Sequence, residues 1–206
     1  MFLSILHPET KKLFELIARK KNRPYTLVWG TALALHIGHR ESTDLDFVSY
    51  TEISEKDIVL FTSLWSKSQI VYQSDVQLDL IIDNVKVTLF TYYRKNATEL
   101  VPHQNINLRS IEDIATSKAY TIGRRNELKD YIDIYFLVHG EYCTLLSLVH
   151  GAEHRFQGAF SKKLFLKQLF LIDQCEVVEI KFIDINHAPS VWDIDLYLHT
   201  QVEKIL

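Results

Sequence analysis

Two carboxylates stand one residue apart, at Asp44 and Asp46 in "STDLDFVSY", residues 42–50. At positions i and i+2 of an extended chain, side chains leave the backbone on the same side, about 7 Å apart at the α-carbons. Leu45 and Phe47 alternate with them and face the other way. Such a pair repels itself and is costly to half-bury unless a cation intervenes. Hard divalent ions, Mg²⁺ above all, accept carboxylate oxygens of this kind and bridge them to substrate phosphates. A second feature precedes the pair. Gly30-Thr31 ends one apolar run and opens another, "TALALHI". Free backbone N–H groups at a helix start there would seat an anion, and glycine would let a phosphate approach the chain. Alone, a Gly-Thr junction is commonly turn geometry. Followed by two aspartates, it points to a phosphate compound held through a metal ion.

These residues need elements to hold them. "PETKKLFELIARK" (8–20) reads as a helix, with Pro8 in its first turn and Leu13, Phe14, Leu16 and Ile17 on one face. "YTLVW" (25–29) reads as a buried strand, 31–37 as a short helix closed by Gly38, and 42–50 as a second strand. Residues 52–68 predict a helix with Ile58, Phe61, Leu64 and Trp65 inward. In "DVQLDLIIDNVKVTLFTYY" apolar residues alternate on both sides of Asp83-Asn84, the pattern of a hairpin with a two-residue turn. Asp79 then lies opposite Thr88, with β-carbons about 5 Å apart. "SIED" predicts a cap at Ser110 for a helix running to about Gly123. "NELKDYIDIYFLVHG" predicts another, with Leu128, Tyr131, Ile132, Tyr135 and Val138 in one stripe and Gly140 at its end. Weaker helical patterns cover 160–172 and 192–206, and the stretch 174–190 between them reads as partly extended. Strands first and helices later predict an α+β fold.

Composition narrows the class. The chain has 206 residues and a net charge of -3, which argues against a broadly basic nucleic-acid-coating surface and leaves room for a local basic groove. No apolar stretch approaches the roughly 18 residues of a membrane span, and the N-terminus turns polar too soon for a signal peptide. A cytoplasmic protein with no membrane partner is expected. Cys143 and Cys175 fit no metal or redox spacing and read as buried free thiols in a reducing cytosol. The histidines are scattered without ligand spacing.

Taken together, Gly30-Thr31, the short apolar helix, His39-Arg40, Ser42 and Asp44-Leu45-Asp46-Phe47 resemble the polymerase-β-type nucleotidyltransferase signature. The run is most similar to its form in the AbiEii/AbiGii toxin family. A second block, "IEDIATSKAYTIGRRNELKDYIDIYFLV", resembles that family's helical Lys…Arg…Lys-Asp…Asp motif at Lys118, Arg124 or Arg125, Lys129, Asp130 and Asp133. The hairpin matches the segment between the two blocks, so the resemblance covers roughly residues 10 to 140. It implies a nucleotidyltransferase-like mixed sheet flanked by helices, with a core over residues 1–108 and a helical C-terminal region over 109–206 packed on it. It implies Mg²⁺-dependent transfer of a nucleoside monophosphate from a nucleoside triphosphate (NTP) to an acceptor hydroxyl. Asp44 and Asp46 would hold one or two Mg²⁺ ions, and Gly30 and Thr31 would cradle the β- and γ-phosphates. Arg40 and Ser42, in the loop before the aspartates, would face the nucleotide. So would Lys118, Arg125, Lys129 and Asp133, with Lys118 neutralising triphosphate charge and Asp130 fixing that lysine or the nucleotide.

The acceptor would be an RNA end such as a tRNA 3′ terminus, a protein hydroxyl or a small molecule such as an antibiotic. A separate antitoxin protein commonly accompanies members of the family. Two departures stand out. Trp29 occupies a position where the family often carries a further glycine, and Thr88 occupies the place of a third carboxylate. Asp79, across the hairpin from Thr88, is the expected catalytic substitute. The alternative is a lapsed enzyme that binds nucleotide, or a partner protein, without turnover.

Overall fold

The computed structural model describes residues 1–20, 25–63, 65, 67–92, 99–122, 124–125, 127–176 and 178–206. The inward placement expected of Leu64 and the helix end expected at Gly123 lie outside these residues. The chain divides into two compact units, residues 1–110 and 111–206.

In the first unit, helix α1 (Pro8–Arg19) opens on its proline and buries Leu13, Phe14, Ile17 and Ala18. Strand β1 (Thr26–Leu27), helix α2 (Trp29–Ile37), strand β2 (Leu45–Ser49) and helix α3 (Glu55–Thr62) follow. Strands β3 (Ser68–Gln73), β4 (Gln77–Ile82), β5 (Val85–Thr91), β6 (Leu100–His103) and β7 (Ile106–Arg109) complete the unit. The seven described strands form one sheet in the order β3-β4-β5-β2-β1-β7-β6. It is mixed: β2 runs parallel to β5 and β1 parallel to β7, and the other neighbours are antiparallel.

The β4–β5 hairpin has the register that alternation predicts, with Leu78 facing Leu89 and Asp79 facing Thr88. Asp83 and Asn84 make its turn at φ 47° and 67°, the left-handed pair that a type I′ turn requires. One face of the sheet is core, formed by Leu45, Phe47, Leu78, Leu80, Ile82, Val87 and Leu89. Phe47 packs there against Tyr25 and Phe61. The Tyr25 hydroxyl donates to the buried Asp57, whose other carboxylate oxygen accepts from the Ser54 N–H and hydroxyl at the start of α3.

Several boundaries differ from the expected ones. β1 ends at Leu27 and α2 begins at Trp29, so Gly30-Thr31 lies inside the first turn rather than before it. β2 begins at Leu45, which leaves Asp44 just ahead of the strand. The helix expected over 52–68 is confined to Glu55–Thr62, because the chain turns into the edge strand β3. Every residue of β3 is exposed, so no face is buried and no alternation marks it. β6 carries Pro102, which removes a donor and is tolerated because this strand is the other edge of the sheet.

The second unit is helical: α4 (Ile111–Thr121), α5 (Leu128–His139), α6 (Leu145–Phe156), α7 (Lys162–Gln168) and α8 (Val191–Glu203). α6 has no counterpart in the expected elements. Its Gly151 interrupts the apolar pattern and permits a close approach, since a β-carbon there would stand 2.7 Å from Thr116 Oγ1 on α4. Beside that contact Tyr120 stacks on Phe156 at 4.1 Å, and Arg155 binds the Asp113 carboxylate. Gly140 ends α5 at φ -80°, without the left-handed turn a terminal glycine often supplies. Cys143 and Cys175 are free but only partly buried, a correction to the buried thiols expected. Burial pushes the Cys143 thiol up to about 11, so it is a poor nucleophile at neutral pH.

Candidate active site

The start of α2 and the two aspartates are tied together directly. The Val28 N–H donates to the Asp46 carbonyl at 2.9 Å, across the β1–β2 pair. The Thr31 hydroxyl donates to the Asp44 carbonyl at 2.5 Å and lies 2.7 Å from the Ser42 hydroxyl. Thr31 is buried and its side chain is engaged within the protein; at a helix start the backbone N–H groups are what remains to meet an anion. Ser42 serves the same tie, and its own N–H donates to Ile5. Thr10 on α1 donates to the Thr43 carbonyl and pins the loop from a second side. Asp44 and Asp46 are neither fully exposed nor sealed in the core, and Thr43 Oγ1 reaches Asp44 Oδ1 at 3.3 Å. Gly38 closes α2 at φ 68°, as its sequence position predicts. Arg40 is buried and donates to the Glu41 carbonyl, so it is a built part of the loop rather than an exposed side chain.

A transverse row crosses the sheet at Asp46. Asp46 pairs with Thr88 on the parallel strand β5, and Thr88 pairs with Asp79 on β4. Directly opposite residues share a face, so Asp46, Thr88 and Asp79 point to the same side, the less buried side of the sheet. Two strand spacings separate Asp46 from Asp79, about 10 Å at the α-carbons. One Asp79 oxygen, Oδ2, accepts from Gln77 at 2.9 Å. The other, Oδ1, is buried and has no hydrogen-bond partner among the described residues.

Asp44, Asp46 and Asp79 offer hard oxygen donors, the chemistry that suits Mg²⁺. Among the described residues no three His, Cys, Asp or Glu side chains converge closely enough to hold an ion by themselves. A pair of carboxylates at Asp44 and Asp46 still fits the ion's habit, since Mg²⁺ is usually held by one or two carboxylates together with substrate phosphates and water.

Within the second unit, a charge network joins α4 to α5. Lys118 Nζ lies 2.6 Å from both Asp130 Oδ1 and Asp133 Oδ2. Arg125 grips Asp130 through two bonds, Nε to Oδ2 at 2.7 Å and Nη2 to Oδ1 at 2.9 Å. Asp130 and Asp133 sit three apart on α5, hence on one side of the helix, and both are fully buried. Burial alone would raise the Asp130 carboxyl. The Lys118 ammonium and the Arg125 bonds outweigh it and hold this group below the usual carboxylate range. Lys129 and Arg125 both lie near Glu127 at the half-exposed rim. Arg124 instead stacks over Tyr120 at 3.9 Å and donates to the Ala159 carbonyl, a structural position.

Three comparisons bear on this geometry. No family model matches the chain. The uncharacterised protein aq_aa25 of Aquifex aeolicus (strain VF5) is 32% identical over 123 residues, covering 56% of this chain and 59% of that protein. The match thus spans about three fifths of that relative's length. Two crystal structures from Helicobacter pylori superimpose over nearly the whole chain. JHP933 does so with a TM-score of 0.62 at 16% identity, covering 96% of this chain and 90% of that one. The other, provisionally described as a nucleotidyltransferase, gives 0.60 at 17%, covering 97% and 95%. The fold is nucleotidyltransferase-like. The likeness is one of fold, at identities too low to carry substrate or partner with it.

Proposed function

We propose that this protein is a Mg²⁺-dependent nucleotidyltransferase of the AbiEii/AbiGii toxin type. The observation that carries the reading is the pair of bonds from Val28 N–H to the Asp46 carbonyl and from Thr31 Oγ1 to the Asp44 carbonyl. They fix two carboxylates beside the first turn of a helix whose backbone N–H groups can take a phosphate. Asp44 and Asp46 would hold the metal ion, which when bound supplies charge neutralisation of the triphosphate. Gly30 and the Thr31 N–H would receive the β- and γ-phosphates. The acceptor hydroxyl oxygen forms a bond to the α-phosphorus, the bridging bond to pyrophosphate breaks, and the hydroxyl proton passes to a base. Asp79 is that base in our reading. An acceptor seated over Thr88 would lie between the metal-binding pair and the buried Asp79 Oδ1.

The acceptor we favour is an RNA end such as a tRNA 3′ terminus, with a protein hydroxyl as the other macromolecular choice and an antibiotic as the small-molecule one. A cognate antitoxin and a cytoplasmic setting follow from the same family reading. Among the described residues no helix is long and apolar enough to cross a membrane. A second reading draws on Thr88. It is 3% exposed and stands opposite Asp46, where a third carboxylate is expected. A chain that binds nucleotide without turning it over would look the same.

The test incubates the protein with each α-labelled NTP, Mg²⁺ and total bacterial RNA, with Asp44→Ala/Asp46→Ala alongside. Label entering RNA only with the intact protein supports transfer to RNA. Label entering protein or a small molecule moves the acceptor. NTP binding with no pyrophosphate release favours the second reading.

A further inference from the structure

We infer that the Trp29 indole, backed by Phe90, is a wall of the nucleotide pocket against which a nucleobase lies. This rests on the nucleotidyltransferase reading above. Trp29 is the first residue of α2, next to Gly30, and its backbone stands at φ 56°. That conformation suits glycine and strains a residue with a large side chain. Nothing about starting a helix requires it. The indole is half-buried and meets Phe90 edge to face, ring centres 5.2 Å apart at 66°. Phe90 lies two residues beyond Thr88 on β5, so it shares the face that carries Asp46, Thr88 and Asp79.

The aromatic pair therefore stands one side-chain row from Asp46 and Asp79, on their side of the sheet. The residue before Trp29, Val28, is bonded to the Asp46 backbone, which holds the strained position against the metal-binding pair. A strained, partly exposed aromatic at such a place is a ready surface for a planar ring, and bases of every kind stack on aromatic side chains. Two sources can bring that ring: the base of the NTP and the terminal base of an RNA acceptor.

The chain has three tryptophans, so Trp65→Phe/Trp192→Phe leaves Trp29 as the sole tryptophan, excited apart from the tyrosines at long wavelength. Its emission is titrated with Mg²⁺ plus ATP, GTP, CTP or UTP, and separately with an oligoribonucleotide alone. Calorimetry on the wild type and on Trp29→Gly follows the same ligands. A saturable emission change that disappears on adding Asp44→Asn/Asp46→Asn supports the inference for the NTP base. So does a loss of roughly tenfold or more in NTP affinity in Trp29→Gly. A change with the oligonucleotide alone supports it for the acceptor base. Calorimetric NTP binding with silent Trp29 emission in both arms, and unchanged affinities in Trp29→Gly, overturns it. If the wild type binds neither ligand in the calorimeter, the nucleotidyltransferase reading itself has failed and the inference falls with it.

Discussion

At the scale of single residues, Trp29 makes an unusual stability prediction. In an ordinary helix interior alanine is better than glycine by about 1 kcal/mol. At φ 56° the order reverses. Trp29→Gly is expected to unfold later than Trp29→Ala, by about 1 kcal/mol in denaturant titrations; the opposite order would mean the backbone there is not strained. Asp79 makes a catalytic one. Asp79→Asn keeps the size of the side chain and its neighbour Gln77, so thermal stability and Mg²⁺-NTP affinity should hold while transfer falls by about 10²–10⁴-fold. Thr88→Asp in that background moves a carboxylate one strand closer to Asp46 and should restore part of the rate. A fully active Asp79→Asn protein would remove Asp79 from the mechanism. The Asp79–Thr88 register was readable from alternation, because one apolar face fixes pairing. The Thr31–Ser42–Asp44 tie was not. Hydrogen bonds between hydroxyls eleven residues apart leave no periodic trace.

At the scale of elements, the α4–α5 junction depends on the buried charge network. Lys118→Met would leave two fully buried carboxylates without their ammonium, and should cost about 3–5 kcal/mol in unfolding free energy. Asp130 also sets an acid limit. Its folded pKa is depressed, so its stabilising contribution is complete above the unfolded value near 4 and is lost as pH falls through the lower folded value. Stability measured from pH 6 down to pH 2 should fall with a slope that Asp130→Asn lessens; an unchanged slope would place the acid sensitivity elsewhere. The α4–α6 contact is steric. Gly151→Ala puts a methyl against Thr116 and should destabilise by about 1–3 kcal/mol, with Thr116→Ala relieving much of it in the double variant. The apolar stripe of α5 was legible, since it repeats with the helix. Asp130 and Asp133 read equally well as a solvated face, because sequence spacing cannot say which side of a helix meets a partner. β3 and α6 were missed for opposite reasons: β3 buries nothing, and α6 carries a glycine that reads as a break.

At the scale of the whole molecule, the order of elements carried the fold. A strand-bearing first part is followed by an all-helical second part, and the H. pylori structures share the fold over nearly the full chain. The number of strands was not legible. β6 and β7 are four residues each, and Pro102 masks the first of them. The chemistry rests on fewer residues than the fold does. The most direct measurement is therefore calorimetric titration of the full chain with a non-cleavable α,β-methylene NTP, with and without Mg²⁺. The account predicts saturable binding that requires the ion and is abolished by Asp44→Asn/Asp46→Asn in a protein that melts normally. Binding that ignores the metal or survives loss of both carboxylates would contradict it.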